Sequence, residues 1–159
     1  MENLEFLKEI ELLREMGDEE LIKILRFAKE EFCKEGKKIF DEGDTGDRFY
    51  IVKSGLIKIT KRSEKTQQDE FLAYIREKQF FGEMALLTDM PRCATATAKK
   101  DSVLIMISKQ DFEKILNETT EIALKVYKVF INVLCKRLRK ADNKMADSFF
   151  TPPPLSSVI

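Results

Sequence analysis

The chain has 159 residues, of which 43% are hydrophobic and 35% are charged, so it can build one well-packed domain. Basic and acidic residues both number 28, which disfavours a nucleic-acid-binding domain with its usual basic excess. Histidine is absent, which removes the Ser-His-Asp triad and every His-ligated metal site, so we expect no enzyme and no metal. Three cysteines at unrelated spacings, no secretory signal and no apolar run of membrane-spanning length predict a cytoplasmic protein with reduced thiols and no membrane span.

Two helices are predicted at the N-terminus. The first is indicated by apolar residues at helical spacing: Leu4, Leu7, Leu12, Leu13 and Met16. Gly17 and Asp18 interrupt the pattern, and Asp18 can cap a second helix that carries Leu21, Ile24 and Leu25. Glu35 and Gly36 end this helical region.

Short strands are predicted from residue 37 to residue 108. They are separated by glycine and charged turns, and their sequences are KKIF, RFYIV, LIKIT, FLAYI, ATATA and SVLIMI. The polar loop KRSEKTQQDE joins LIKIT to FLAYI, which predicts a hairpin. Gly43, Gly46 and Gly55 are interpreted as turn glycines that do not contact a ligand. This pattern favours an antiparallel barrel or jelly roll.

Helix returns at Ser108, whose hydroxyl is predicted to cap a helix together with Asp111. A longer helix should run from about Thr119 to Asp147. Its apolar positions are Ile122, Val126, Phe130, Leu134, Leu138, Ala141 and Met145, with heptad-like spacing in the second half. This stripe predicts packing on the chain's own strands, and it leaves open a homodimer through the same helix. Residues 148–159 are Pro-rich and are predicted to form a flexible tail.

Two motifs place charges among apolar residues. DEGDTGDRFYIVKSG covers residues 41–55, and FGEMALLTDMPRCATATA covers residues 81–98 with Glu83 and Arg92 inside it. Charges in such surroundings need a partner or a ligand. With these motifs the chain closely resembles the cyclic nucleotide-binding domain family, which includes the catabolite activator protein and the regulatory subunits of cAMP-dependent kinase. The second motif resembles the phosphate-binding cassette of that family.

The resemblance covers about residues 4–145 and implies an α+β, mainly β fold. This is an eight-stranded antiparallel β-roll (jelly-roll-like) flanked by N-terminal helices and a long C-terminal helix. A single domain over residues 1–147 is expected, with the β-roll at about 37–108 and the C-terminal helices at about 109–147.

The resemblance also implies a ligand site for cAMP or cGMP. Arg92 would hold the phosphate with its planar fork, the N–H of Ala85 would contact the same group, and Gly82 would let the backbone approach the sugar. Glu83 would accept a hydrogen bond from the ribose 2′-OH. Met84 and Ala94 complete the cassette part of the site.

The base is expected to lie against Ile59, Leu72 and Ala73. Cys93 stands where a threonine is associated with cGMP preference, and a thiol is a poor hydrogen-bonding group, which favours cAMP. Asp142 on the terminal helix is expected to reach the base, but a carboxylate there suits either purine.

These residues predict a sensor module whose terminal helix, hinged near residues 117–120, closes over the base and acts through an unidentified protein partner. We expect Glu83 and Arg92 to approach each other when the site is empty. Lys78 replaces a glycine that the family often has before the cassette, so the turn that enters the site should differ. Two alternatives stay open: a β-roll scaffold that binds no cyclic mononucleotide, and a protein that binds a cyclic dinucleotide.

Overall fold

The structure is a computed structural model that describes residues 2–11, 13–118 and 120–149. Helices α1 (Glu2–Lys8) and α2 (Asp18–Phe27) precede the strands, α3 (Met84–Leu87) interrupts them, and α4 (Lys109–Glu118) and α5 (Thr120–Phe149) follow. The strands are β1 (Lys29–Cys33), β2 (Lys38–Phe40), β3 (Arg48–Ser54), β4 (Leu56–Arg62), β5 (Asp69–Arg76), β6 (Phe80–Phe81), β7 (Thr95–Ala98) and β8 (Ser102–Ser108). The predicted mainly β fold with flanking helices is confirmed.

The strands form two four-stranded antiparallel sheets with orders β1-β8-β3-β6 and β2-β7-β4-β5. The predicted hairpin is the β4–β5 pair, which runs in register from Leu56 opposite Arg76 to Arg62 opposite Asp69, with one bulge. The second sheet carries this hairpin beside β7, which is the last segment of the cassette motif. The sheet therefore brings the hairpin and the cassette to one side of the roll.

The prediction that helix continues to residue 35 is wrong, because residues 29–33 form β1 and pair with β8. Only Cys33 of this edge strand is buried, so its sequence KEEFC lacks the apolar alternation that marks a strand. The first helix is also shorter than predicted. It ends at Lys8, and Leu13 and Met16 are buried in the turns that follow, while Leu12 lies outside the described residues.

Strand β3 separates two cores. Phe49 and Ile51 point toward the helices, whereas Tyr50 and Val52 point into the roll, as the period of two in a strand requires. Phe130 of α5 is the centre of the helical core, where its ring makes edge contacts with the rings of Phe49, Phe80 and Phe112. This packing fixes the first half of α5 against the sheet that carries the entrance to the cassette.

The hydroxyl of Ser108 accepts a hydrogen bond from the N–H of Asp111 at 3.1 Å, as predicted for the cap of α4. The stripe predicted on α5 is not a single face. Val126 and Phe130 are buried against the roll, whereas Leu138 and Met145 are exposed. The tail from residue 150 lies outside the described residues. Within the described part of the chain, no helix combines the length and apolarity that a membrane crossing requires.

Candidate functional site

A cavity of about 550 Å³ opens between the β4–β5 hairpin, the cassette and α5. Every residue predicted to bind the ligand lines it except Asp142: Ile59, Leu72, Ala73, Gly82, Glu83, Met84, Ala85, Arg92, Cys93 and Ala94. These residues are distant in sequence and meet because β7, at the end of the cassette motif, pairs with β4 of the hairpin. Other lining residues were not predicted from the sequence, among them Phe40, Tyr74, Val133 and Arg137.

Arg92 is a buried cation at the floor of the cavity, with 5% of its surface exposed. Its guanidinium donates to main-chain carbonyls, from Nη1 to Gly82 O at 2.9 Å and from Nη2 to Arg48 O at 2.6 Å. The group also lies over the Phe40 ring, 4.2 Å from its centroid. Backbone and an aromatic face therefore fix the position of the guanidinium without neutralising its charge.

One N–H group of Arg92 has no hydrogen-bond acceptor among the described residues. The buried Nε has no hydrogen-bond partner in the part of the chain that the structure describes, and no described carboxylate forms an ion pair with the guanidinium. Burial lowers the pKa of Arg92 from its ordinary value, although the guanidinium stays charged at any physiological pH. A buried charge without a counter-ion is costly, and an anionic ligand would remove that cost.

Glu83 is the second buried charge of the cavity, with 1% of its surface exposed. Contrary to the expectation of a close approach to Arg92, no ion pair joins the two side chains in the described part of the chain, although the attraction of Arg92 still reaches Glu83. Its Oε1 instead accepts from Nη1 of Arg137 on α5 at 2.5 Å, and Nη2 of Arg137 donates to Phe80 O at 2.9 Å. Burial raises the pKa of Glu83, and the attraction of Arg137 opposes this shift. The predicted sugar-binding carboxylate is thus tied to the long helix.

Close packing positions the short helix α3 beside Arg92. Gly82 adopts φ +78°, and a Cβ built on it would lie 2.7 Å from Arg92 Nη1, so a larger residue would displace the guanidinium. Gly46 comes even closer to the cassette, because a Cβ there would lie 2.0 Å from the Cβ of Ala85. Gly46 therefore supports the cassette directly, beyond its predicted part in a turn.

The hairpin wall of the cavity is apolar. Ile59, Leu72 and Ala73 line it as predicted, and Tyr74 adds an aromatic ring. Cys93 is exposed at the opposite wall, where its Sγ lies 3.7 Å from Sδ of Met84. An apolar wall together with the buried cation Arg92 suits a flat heterocycle joined to an anionic group.

Helix α5 covers the third side of the cavity through Val133, Arg137, Lys140, Ala141 and Lys144. Asp142, predicted to contact the base, is exposed and is not among the lining residues. It follows Ala141 by one residue, so its side chain projects about 100° further around the helix. The helix therefore presents basic groups to the cavity where an acidic one was expected.

The turn before the cassette keeps a left-handed conformation although glycine is missing. Lys78 has φ +66°, which is uncommon for a residue with a Cβ. Its N–H donates to Val52 O at 2.9 Å, and its Nζ forms an ion pair with Glu9. The turn that enters the site therefore holds a residue with a Cβ in the left-handed conformation, which is a strained position for it.

Comparison with known proteins connects this geometry to a family. The family profile described as "Cyclic nucleotide-binding domain" matches residues 30–119. The cAMP-dependent protein kinase regulatory subunit of Yarrowia lipolytica is 35% identical over 111 residues, which are 70% of this chain and 28% of that protein. The chain thus spans little more than a quarter of that relative.

Comparison with solved structures points to the same family. The catabolite activator protein of Thermus thermophilus superimposes with a TM-score of 0.77 and 28% identity over 88% of this chain and 63% of that one. The regulatory domain of Toxoplasma gondii PKA, solved with cAMP, superimposes with a TM-score of 0.68 and 26% identity over 79% of this chain and 48% of that one.

Proposed function

Because the chain belongs to the cyclic nucleotide-binding domain family, we propose that it binds a cyclic nucleotide monophosphate as a sensor and regulatory module. We propose that cAMP is favoured over cGMP. The observation that carries this proposal is the buried guanidinium of Arg92, whose Nε has no partner among the described residues and whose charge no described carboxylate pairs. The relatives whose names mention cAMP support the choice of ligand class.

In the proposed complex the cyclic phosphate lies between Arg92 and α3. The Nε of Arg92 supplies a charge-assisted hydrogen bond, and the first N–H groups of α3, at Met84 and Ala85, have no acceptor within the helix. The phosphate oxygens accept from these donors. The ligand thus provides the negative charge that the protein does not place there.

Glu83 accepts from the ribose 2′-OH in this proposal, as the family resemblance implies. Its neighbour Arg137 already occupies one carboxylate oxygen, so the sugar shares Glu83 with α5. The ribose hydroxyl and Arg137 can both donate hydrogen bonds to the Glu83 carboxylate, because a carboxylate has about four acceptor positions.

The purine lies against the hairpin wall of Ile59, Leu72 and Ala73. The preference for cAMP is supported by Cys93, since a thiol gives little hydrogen bonding to the amino group that distinguishes guanine. Asp142 does not line the cavity, so it adds nothing to base selection unless α5 shifts.

The proposed output is a change in the position of α5. The helix is bound to the site through the Arg137 contacts with Glu83 and Phe80 O, and α4 ends at Glu118 just before α5 begins at Thr120. A ligand that interacts differently with two arrangements of α5 shifts the balance between them. The shift then alters the exposed surface that α5 offers to a protein partner.

Titration calorimetry with cAMP and with cGMP tests the binding proposal. Loss of the buried guanidinium in Arg92→Ala should weaken cAMP binding by about 2–5 kcal/mol, or roughly 30-fold to several thousand-fold. Arg92→Lys keeps the charge but loses the planar fork, so it should fall between wild type and Arg92→Ala.

The matched control is Arg48→Ala. The Arg48 side chain pairs with Asp47 and does not line the cavity, while its main-chain carbonyl stays in place to hold Arg92. Affinity of this variant should stay within about twofold of wild type. Equal losses in Arg48→Ala and Arg92→Ala, or no binding by wild type, would contradict the proposal.

A cyclic dinucleotide is a second candidate. The lining residues Lys140 and Lys144 make no ion pair within the described residues and lie on one face of α5, four residues apart. A second phosphate would use them. The same calorimetry with a cyclic dinucleotide, with wild type and Lys140→Ala, decides between the two ligands.

A further inference from the structure

The face of the Phe40 ring is covered by the guanidinium of Arg92. Cζ of Arg92 lies 4.2 Å from the centre of this ring and 5.8 Å from the centre of the Tyr50 ring. Both distances fall within the range of about 6 Å in which the electron-rich face of an aromatic ring attracts a cation. Arg92 is buried, and this attraction is stronger where solvent is excluded. Phe40 is therefore the nearest aromatic partner of the buried cation among the described residues.

A β-bulge turns Phe40 toward the cation. Lys38 of β2 pairs with Thr97 of β7. Phe40 comes two residues later but pairs with Ala96, the neighbour of Thr97, so the register shifts by one residue. In a regular strand Ile39 and Phe40 would face opposite sides of the sheet, whereas here both pack against the core inside the roll. The bulge thus brings Phe40 into the roll, as bulges do where a side chain is redirected beside a binding site.

Two further rings hold Phe40 in place. The centre of its ring lies 5.8 Å from that of Tyr50 and 5.9 Å from that of Phe81. Tyr50 and Phe81 are both buried and are stacked on each other, with centres 5.0 Å apart and 13° between the ring planes. Packing of this kind locks a side chain in one rotamer. The Phe40 ring therefore offers the guanidinium a fixed surface.

The segment that follows Phe40 also fixes the backbone of Arg92. The N–H of Arg92 donates to Asp44 O at 2.8 Å, and the N–H of Gly43 donates to Arg92 O at 2.9 Å. Residues 40–44 thus contact Arg92 both at its main chain and at its guanidinium. A change in the position of this segment would move the cation with it.

An aromatic ring holds a cation without supplying a negative charge. A carboxylate in the same place would form a buried ion pair with Arg92, and an incoming anion would have to displace it. The ring attracts the guanidinium through its quadrupole and leaves the full positive charge to a ligand. Nη1 and Nη2 of Arg92 donate to main-chain carbonyls. Ring and backbone together therefore orient the guanidinium while its charge stays unpaired.

We propose that Phe40 is a positioning residue, whose ring holds the guanidinium of Arg92 by a cation–π contact in the orientation that receives an anionic ligand. Its effect on affinity rests on the proposed function, in which the anion is the cyclic phosphate. The contact itself is present in the unliganded protein. Phe40 precedes both sequence motifs of the site, residues 41–55 and 81–98, and adds a position to them.

Stepwise fluorination of the ring tests the role of Phe40 in binding. Phenylalanine analogues with one, two and three ring fluorines are incorporated at position 40 of the full chain, and cAMP binding is measured by titration calorimetry. Fluorine withdraws electron density from the ring face with little change in size. The affinity should therefore fall with each fluorine, by about threefold to thirtyfold in total.

The matched control is the same series of analogues at Phe112, a buried ring of α4 that does not line the cavity. Affinity for cAMP should stay within about twofold of wild type in this series. A fall that is as large at Phe112 as at Phe40 would show a general effect of fluorination and would overturn the positioning role.

A double-mutant cycle in the unliganded protein tests the contact itself. Urea unfolding is measured for wild type, Phe40→Leu, Arg92→Met and the double variant. Leucine removes the ring face, and methionine replaces the guanidinium by an uncharged chain. Phe40→Leu should raise the unfolding equilibrium constant at least about threefold more in the wild-type background than in the Arg92→Met background.

The two measurements separate this inference from the proposed function. Wild type that binds neither cAMP nor cGMP would refute the proposed function, and the unfolding cycle would still decide whether Phe40 holds the guanidinium. Equal effects of Phe40→Leu in the two backgrounds would overturn the contact. Wild-type binding that three fluorines at position 40 leave unchanged would overturn the positioning role alone.

Discussion

Replacing Arg137 by alanine should destabilise the unliganded protein in a pH-dependent way. The substitution leaves Glu83, with 1% of its surface exposed, without its cationic partner. Breaking a buried ion pair from one side costs about 3–5 kcal/mol. The Arg137 side chain is 43% exposed, so solvent screens its attraction and we expect a smaller loss of about 2 kcal/mol at pH 8.

The sign of the pH dependence follows from the pKa of Glu83. Burial already raises this pKa above its ordinary value, and Arg137 counteracts the shift. Without Arg137 the folded-state pKa rises further. A raised folded-state carboxyl pKa penalises folding fully above that pKa, and the penalty shrinks as the pH falls from it toward the ordinary carboxyl pKa, because the folded state then binds a proton that the unfolded state does not. Arg137→Ala should therefore lose clearly less stability at pH 5 than at pH 8.

Urea unfolding of wild type and Arg137→Ala at both pH values, at one protein concentration, measures this difference. Glu83→Gln in the Arg137→Ala background should recover part of the stability at pH 8, since it removes the unpaired charge. Arg139→Ala removes a nearby exposed arginine that does not line the cavity and serves as the control. An equal loss for Arg137→Ala at pH 5 and pH 8, or additive effects of the two substitutions, would refute the reasoning.

Two further predictions concern the cavity and its support. Cys93 is exposed at the cavity wall, so in a Cys135→Ser background saturating cAMP should slow the alkylation of Cys93 by a maleimide at least about tenfold. As the control, Cys135 in a Cys93→Ser background should react at the same rate with and without cAMP. Unchanged Cys93 reactivity would count against binding in this cavity. Gly46→Ala places a Cβ 2.0 Å from that of Ala85, so it should cost about 1–3 kcal/mol of unfolding free energy and weaken cAMP binding. As the control, Gly17→Ala places its Cβ 3.9 Å from Oε2 of Glu20 and should change stability by less than about 0.5 kcal/mol. A stable Gly46→Ala protein with full cAMP affinity would show that α3 can move without consequence.

Local signals in the sequence predicted the elements whose contacts are themselves local. The β4–β5 hairpin joins neighbouring segments, and the cap of α4 joins Ser108 to a residue three positions later. Strand β1 was missed because a strand at the edge of a sheet with a single buried residue, Cys33, has almost no apolar alternation. Its pairing with β8 is a long-range contact that no short window contains.

The cavity residues of the cassette were predicted because the motif contains them in one stretch. Arg137 was missed for a physical reason: it lies 54 residues from Glu83 and is one of several basic residues on a charged helix. The hydrogen-bond acceptors of Arg92 could not be predicted from the sequence either, because both are main-chain carbonyls, which every residue type provides. Asp142, predicted to contact the base, does not line the cavity, because residue spacing predicts a helix but not the rotation of that helix about its own axis.

The two buried charged side chains of the cavity, Glu83 and Arg92, differ in what holds them in place. Glu83 is held by another side chain, so a change at either Glu83 or Arg137 disturbs it. Arg92 is held by the peptide backbone of two strand ends, which substitutions at Arg48 leave in place. In the proposed complex, a substitution at either Glu83 or Arg137 would therefore separate α5 from the site and leave both main-chain contacts of Arg92 in place, which would give a protein that keeps its affinity for the nucleotide but loses its response to it.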